Sequence, residues 1–550
     1  MSYIGADFVS DALASLGVEH VFAIVSIHNM PLLDAINRLG KTKIIDVRHE
    51  QAGTHAADGY ARATGKMGVM IASTGPGTSN TVTGLYESQF GSSRVLVITG
   101  QADTTFYGKG LSYVHEAEKQ IQMLSSVCRR VESPRHISQL ADSFQAVVSD
   151  MFTGRPQPGA IEIPIDLQYA NTKKVAIELP SDNIFEADPS VISRVADKIK
   201  EASKRIFVVG GGVISSEATQ ELCELAEQLD APVLTTVDGR GVLPEDHRLC
   251  MGNYYNSAGI YNAIQDADLT IAIGTKFAVG VDGQFHEQTP PGELIQIDID
   301  GNMIGRTHKA AVGVLSDAKS ALNQLKPLLS DLSQNDSQFN ESLFQAREGV
   351  QTAMRARLGK DWPQVMDIIR SKLPRDGLFV RDQTISAYNW GNQQFPIYLP
   401  RTSINPTSGA IGPGFPMSIG AAIATGKKTV VIHGDGGFMF HATELATAAQ
   451  YKVPVVVCVF NDSGYGVLRW LQDNRFGRIN ETDLGKIAFA KMARSMGVPA
   501  RRVASVEEFE EVLDLAMQEE GPYLIDIDMD QFDPMEISIM PKQKREVDLD

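Results

Sequence analysis

Two short segments carry the oxygen donors that a hard cation needs. Gly434-Asp435-Gly436-Gly437 supplies one carboxylate, and Asn461-Asp462-Ser463-Gly464 supplies an amide, a second carboxylate and turn carbonyls, with 24 residues between Gly436 and Asn461. Such a set suits Mg²⁺, which is commonly held by one or two carboxylates plus phosphate oxygens of a ligand. The glycines beside Asp435 let main-chain N–H groups come close to a diphosphate. A further carboxylate is Glu50, in the turn Arg48-His49-Glu50-Gln51. A glutamate there is either a proton partner for bound chemistry or an acid favoured in the first turn of a helix. His28, in Ser26-Ile27-His28-Asn29 just before the apolar stretch Met30–Ile36, is either a proton-transfer group or a loop histidine with a backbone partner.

The surrounding elements decide how these groups can meet. Thr429–His433 is a β-branched run broken by the glycines. A helix is expected to follow through about Tyr451, with Leu445, Ala446, Ala448 and Ala449 on its buried side, and Val453–Phe460 reads as a second, wholly apolar strand. Two parallel strands covered on both faces fit that pattern. The carboxyl ends of such strands form the ligand crevice of an open α/β sheet, so Asp435 and Asp462 are expected side by side. Taken alone, a Gly-Asp-Gly-Gly run is also an ordinary strand-to-helix turn.

An internal repeat sets the larger frame. Residues 59–71 (GYARATGKMGVMI) and 420–432 (GAAIATGKKTVVI) match at eight of thirteen positions, offset by 361. The same offset carries Gly75 onto Gly436 and the strand Val95–Thr99 onto Val456–Phe460, which points to a duplication. The copies differ where chemistry should differ. Thr74 stands for Asp435 and Gln101 for Asp462, whereas Glu50 has Ile411 as its counterpart. Between them, Arg205–Gly212, Ala231–Val237, Asp268–Gly274 and Glu293–Ile299 read as strands and Ser216–Leu229 as a helix. The Pro- and Asp-containing stretch Asn171–Pro189 and the polar stretch Ser330–Glu341 read as linkers. The expected fold class is α/β, with three doubly wound parallel-sheet domains at 1–172, 190–335 and 360–550, the first and third related by duplication.

Composition narrows the function classes. A chain of 550 residues implies about three domains, and 43% apolar with 21% charged residues is ordinary for a globular protein. A net charge of −17 without a basic run argues against a nucleic-acid partner. The amino terminus, with Phe8, Val9, Leu13 and Leu16 on one side, reads as an amphipathic helix rather than a signal peptide. No apolar stretch approaches the roughly 18 residues of a membrane span. Cys128, Cys223, Cys250 and Cys458 lie far apart with no CxxC, which points to a reducing, cytoplasmic location without structural zinc.

The Gly-Asp-Gly to Asn-Asp spacing within a strand–helix–strand frame resembles the thiamine diphosphate signature of the pyruvate decarboxylase and acetohydroxyacid synthase superfamily. The family's usual pair after the spacer is Asn-Asn; Asp462 at the second place keeps an oxygen ligand and adds a charge. The resemblance implies thiamine diphosphate and Mg²⁺, the metal held by Asp435, Asp462 and the Gly464 carbonyl, with Gly436, Gly437 and Tyr465 also against the cofactor. It implies that Glu50 hydrogen-bonds the cofactor's aminopyrimidine, so that the cofactor can remove its own C2 proton. In Thr407-Ser408-Gly409-Ala410-Ile411-Gly412 it maps Ile411 to an aliphatic wedge between the cofactor's two rings and Gly409 to a carbonyl that accepts from the amino group. A core isoleucine in a glycine-rich loop is the other reading of Ile411. The family's central domain binds FAD in acetohydroxyacid synthases and is empty in many relatives. Lys276 stands where several flavin-containing members carry arginine, which argues against FAD. The family also pairs the first copy of one subunit with the second copy of its neighbour, which implies a homodimer or homotetramer with sites between subunits.

The implied activity is cleavage or ligation of a carbon–carbon bond in a small carbonyl substrate, a 2-oxo acid or related ketone, by a decarboxylase or carboligase similar to acetolactate synthase. Ile165 stands where acetohydroxyacid synthases carry lysine, and Leu471 where they carry a substrate-contacting tryptophan. The run from Tyr465 to Trp470 looks more like benzoylformate decarboxylase, and Ser26–Asn29 like benzaldehyde lyase, whose active-site histidine would match His28. A lyase acting on a non-acid acyloin or diketone, like benzaldehyde lyase or a cyclic dione hydrolase, is therefore the alternative. A non-catalytic protein that binds thiamine diphosphate is a third reading, against which Glu50 and both metal-site carboxylates stand.

Overall fold

The computed structural model describes residues 2–180, 185–278, 288–330 and 332–535. Short apolar, β-branched runs form three six-stranded parallel sheets. The first contains β1 (His20–Ala23), β2 (Lys43–Asp46), β3 (Gly68–Ala72), β4 (Val95–Gln101), β5 (Arg130–Glu132) and β6 (Gly159–Pro164), in the order β2-β1-β3-β4-β6-β5. The central sheet contains β7 (Arg205–Val209), β8 (Val233–Thr235), β9 (Cys250–Gly252), β10 (Leu269–Ile273), β11 (Glu293–Asp298) and β12 (Val312–Leu315), in the order β12-β11-β10-β7-β8-β9. The third contains β13 (Leu378–Arg381), β14 (Ser403–Ile404), β15 (Thr429–Gly434), β16 (Val455–Asn461), β17 (Ala500–Val503) and β18 (Tyr523–Asp528), in the order β14-β13-β15-β16-β18-β17. The first and third sheets share one compact unit, and the central sheet lies in another.

The first and third sheets are wound identically, second strand to fifth. The sequence repeat lies in register with them: β3 and β15 start 361 residues apart, and the helices Glu50–Thr64 and Gly414–Thr425 both end at left-handed glycines, Gly65 and Gly426. Those two helices pack against each other and join the copies. Every residue of β3, β4, β6 and β16 is buried, as expected for strands covered on both faces.

The structure departs from the sequence reading in three places that matter below. The helix expected from Gly434 to about Tyr451 is two pieces, Asp435–Phe438 and Glu444–Gln450. Two poor helix formers, Gly436 and Gly437, open the first piece. The break lets the buried Glu444 accept Arg48 N–H at 2.9 Å. In the central unit, β7 stops at Val209 because Gly210 and Gly212 lie against the Gly274 turn, where a Cβ would come within 2.3 and 2.5 Å of its main chain. The Ser330–Glu341 stretch is no plain linker. Asn335 is buried and caps both main-chain groups of Arg205 at 3.0 and 2.8 Å, and the helix Ser337–Ala356 begins two residues later. Residue 331, and residues 181–184 of the other expected linker, lie outside the described residues, as do 279–287 and the chain beyond 535. Among the described residues no helix is long and apolar enough to cross a membrane, and the four cysteines are free thiols.

Candidate active site

Asp435 and Asp462 meet at the carboxyl ends of the neighbouring strands β15 and β16. Both are largely shielded, and their carboxyl groups share a hydrogen bond. Burial, and then Asp462, pushes Asp435 up to about 7. Burial also raises Asp462, against the pull of Asp435 and of Arg469 at 3.4 Å. Asp435 Oδ1 is buried with no protein partner. Two carboxylates in contact, one with an orphaned oxygen, form a donor set that a divalent cation would satisfy.

The turn after β16 completes this wall. Ser463 adopts a left-handed conformation with φ of 55°, and Asn461 Oδ1 accepts its N–H at 3.2 Å. Gly464 pairs with Asp483 in an isolated bridge, and a side chain there would strike the Thr482 carbonyl at 2.5 Å. The Tyr465 ring covers Gly436, whose missing Cβ would lie 2.6 Å from it. Gly437 faces the Asp382 carboxylate in the same way, at 2.6 Å. The predicted group Asp435, Gly436, Gly437, Asp462, Gly464 and Tyr465 is thus gathered in one place.

Gly409 and Ile411 lie on an adjoining arch whose two feet are pinned by buried carboxylates. At one foot Glu87 accepts Thr407 N–H at 2.7 Å, Thr407 Oγ1–H at 2.9 Å, Ser408 N–H at 3.0 Å and the Ser408 hydroxyl. At the other, Asp382 accepts from Gly412 N–H at 2.9 Å and Gly414 N–H at 3.0 Å. Between the feet Gly409 is exposed, with φ of 85°, and Ile411 is half-buried, so Ile411 is not a core residue.

Glu50 opens the helix Glu50–Thr64, but the cap of that helix is His49, whose Nδ1 accepts Gln51 N–H at 3.1 Å. The Glu50 carboxylate turns instead to Asn80, which donates to Oε2 at 2.9 Å, and to Gly77, where a Cβ would approach Oε1 at 3.2 Å. His28 is 1% exposed, and neither ring nitrogen has a protein partner. Its ring lies beside Tyr113 and His115, with centroids 6.0 and 5.4 Å away, and burial together with His115 lowers its pKa. Asn29 does not serve His28; its side chain closes the turn through Ser26 N–H and the Ile24 carbonyl. Among the described residues no hydrogen bond joins Glu50 or His28 to the Asp435 group.

In the first sheet the corresponding strand ends are filled by side chains. Thr74 Oγ1 lies 3.3 Å from Gln101 Oε1, 3.0 Å from Gln120 Oε1 and 3.3 Å from the His115 carbonyl. Both glutamines donate to the buried Glu162, at 2.9 and 2.8 Å. Sequence reasoning missed Asn80, Glu87 and Asp382. Glu87 shares the packed side of the helix Pro76–Gly91 with Gly84, Leu85 and Ser88, but that helix has no apolar stripe in the sequence that would have marked it.

A crevice of oxygen donors at the carboxyl ends of the strands is the place where an open α/β sheet binds its ligand. Residues 4–125, 192–325 and 385–527 match the N-terminal TPP-binding, central and C-terminal TPP-binding domains of thiamine pyrophosphate enzymes. Over 548 residues the chain is 32% identical to a probable acetolactate synthase large subunit of Methanocaldococcus jannaschii, covering 96% of this chain and 92% of that one. It is 30% identical to an acetolactate synthase of Arthrospira platensis (95% and 93% covered) and 29% identical to the acetolactate synthase large subunit of Haemophilus influenzae (97% and 96%). The chain belongs to the thiamine diphosphate-dependent enzymes of the acetohydroxyacid synthase superfamily.

Proposed function

We propose that this enzyme uses thiamine diphosphate and Mg²⁺ to break or form a carbon–carbon bond next to the carbonyl of a 2-oxo acid, as an acetolactate synthase-like decarboxylase or carboligase. The observation that carries this reading is the pairing of buried Asp435 with the partly buried Asp462 at the ends of β15 and β16. These carboxylates and the Gly464 carbonyl would hold the metal, and the main-chain N–H groups of Gly436 and Gly437, in the first turn of the helix Asp435–Phe438, would bind the diphosphate. When bound, thiamine diphosphate supplies an acidic C2–H and an electron sink for the bond that breaks. Glu50 would hold a proton at the pyrimidine ring nitrogen, since Asn80 fixes one of its oxygens and leaves the other for the cofactor. Gly409 would offer its carbonyl to the cofactor's amino group, and Ile411 would present its side chain to the cofactor's rings. His28, neutral and without a partner, suits proton transfer at a substrate oxygen.

Glu50 and the Asp435 group belong to different copies of the repeat, and family resemblance pairs them across subunits. We therefore place the site in a homodimer or homotetramer. The free thiols suit the reducing cytoplasm, and Gly210 and Gly212, taken up by packing on Gly274, give no support to a flavin site.

A second reading, cleavage of a neutral acyloin or diketone, rests on His28 and its setting, while Ile165 and Leu471 speak against acetolactate synthesis itself. Purified protein with cofactor and metal should be incubated with 2-oxo acids, aldehydes, acyloins and diketones, with CO₂ and ketol products scored by mass spectrometry. CO₂ release with ketol formation supports the first reading. Cleavage of acyloins or diketones without CO₂ selects the second, and no turnover of any member would sink both.

A further inference from the structure

The arch from Asn405 to Gly414 is held by more than its own domain. Arg62 and Glu87 come from the first domain, and Arg381, Asp382 and Gln383 from the third. Glu87 is 0% exposed and accepts four hydrogen bonds from Thr407 and Ser408. Arg62 pairs with it at 2.8 Å, and also with Asp58 at 2.8 Å. Burial alone would raise the Glu87 carboxyl, but Arg62 and the Ser408 and Thr407 donors hold it down at about 2. A buried charge with every lone pair engaged is a rigid fixture, and removing one partner is costly. The same helix carries Asn80, two turns before Glu87, on the face that meets Glu50.

We infer that Glu87 is a positioning residue: it fixes Thr407 and Ser408, and through them sets where the Gly409 carbonyl and the Ile411 side chain stand. The inference rests on the reading above, in which Gly409 and Ile411 meet the cofactor's pyrimidine. Glu87 itself lies in the first copy and touches neither the Asp435 group nor the arch crown. It acts on the reaction only through the arch. Its removal should therefore disturb the pyrimidine end of the cofactor and spare the diphosphate end.

The test uses the full chain and the variants Glu87→Gln and Ser408→Ala. Hydrogen–deuterium exchange of the amides between 405 and 414 is followed first, without cofactor. Exchange should quicken about tenfold or more in Glu87→Gln, the scale of a lost hydrogen bond to a buried charge. Next, affinity for thiamine diphosphate with Mg²⁺ should change less than about threefold, while exchange of the C2 proton slows about tenfold. Should Glu87→Gln fail to fold, Ser408→Ala keeps the carboxylate and its Thr407 and Arg62 partners and must show the same pattern more weakly. Unchanged arch exchange in both variants overturns the inference, as does a loosened arch with wild-type C2 exchange. A wild-type protein that does not accelerate C2 exchange at all would instead sink the cofactor reading, and it is recognised without any variant.

Discussion

Gly59 and Gly420 occupy equivalent places in the two copies, and each is pressed against the other copy's helix. A Cβ on Gly59 would lie 2.0 Å from the Met417 carbonyl oxygen, and a Cβ on Gly420 would lie 1.8 Å from that of Ala56. Met417 and Gly420 are the counterparts of Ala56 and Gly59 at the offset of 361. The contact is therefore isologous, as across a two-fold axis, but within one chain.

Any side chain at this crossing must separate two helix backbones. Gly59→Ala and Gly420→Ala should each destabilise by about 3 kcal/mol or more, since neither backbone can yield cheaply. Gly349→Ala, in the middle of the helix Ser337–Ala356 with nothing within 4 Å, should instead stabilise by about 0.5–1 kcal/mol. Denaturant midpoints measured on all three will check the contrast.

Asp435→Ala removes half of the facing carboxylate pair. It should cost at least about 100-fold in affinity for Mg²⁺ and thiamine diphosphate together. Asp462→Asn, which keeps an oxygen ligand and relieves the repulsion at Asp435, should retain both. Calorimetry on the two variants decides; intact binding in Asp435→Ala would leave the pair without a metal role.

Glu50→Gln should keep the fold, because His49 and not Glu50 caps the helix. C2 proton exchange should nevertheless slow about 100-fold or more, the usual loss on removing a general acid or base. If sites form between subunits, mixing this variant with Asp435→Ala after reversible dissociation should restore activity, since each hybrid dimer contains one undamaged site. Hybrids that form and stay inactive would assign each site to a single chain.

His55 and His441 predict a specific acid sensitivity. Their rings lie 5.6 Å apart, all four ring nitrogens lack protein partners, His49 and His433 lie near His441, and Glu87 and Arg62 act on His55. Burial lowers His55 to about 4 and His441 to about 2. Above the unfolded value of 6.5 both states are neutral and nothing changes. As pH falls below it, the unfolded chain gains protons that the folded protein refuses, so stability is lost on the acid side, by up to about 1.4 kcal/mol per pH unit for each histidine. The His55 contribution ends near 4, whereas that of His441 continues below it. In His441→Leu the unfolding midpoint should fall less steeply between pH 6.5 and 4; a profile parallel to wild type would contradict this.

The parts of the site that lie within one strand–helix–strand frame were legible in the sequence. Asp435 and Asp462 come side by side from two strand ends, a fixed spacing and parallel pairing, whereas Gly464 was named by the family resemblance alone. The duplication was legible because Gly59 and Gly420 share a register that packing enforces. Glu87 was not, since its partners Thr407 and Ser408 lie some 320 residues away and no local pattern names them. The broken helix after Asp435 was hidden for a similar reason. The turn from Met439 to Thr443 serves Glu444, whose partner Arg48 belongs to the other copy.

Thr74 stands among three acceptor oxygens, those of Gln101, Gln120 and His115, in a place closed to solvent. An aspartate there would face only oxygens, and a buried carboxylate without donors costs several kcal/mol. Giving the first copy the second copy's carboxylate would need Gln101 and Gln120 to change with it. The two copies are therefore not interchangeable at this place: the residue of one, set singly into the other, is a destabilising mutation.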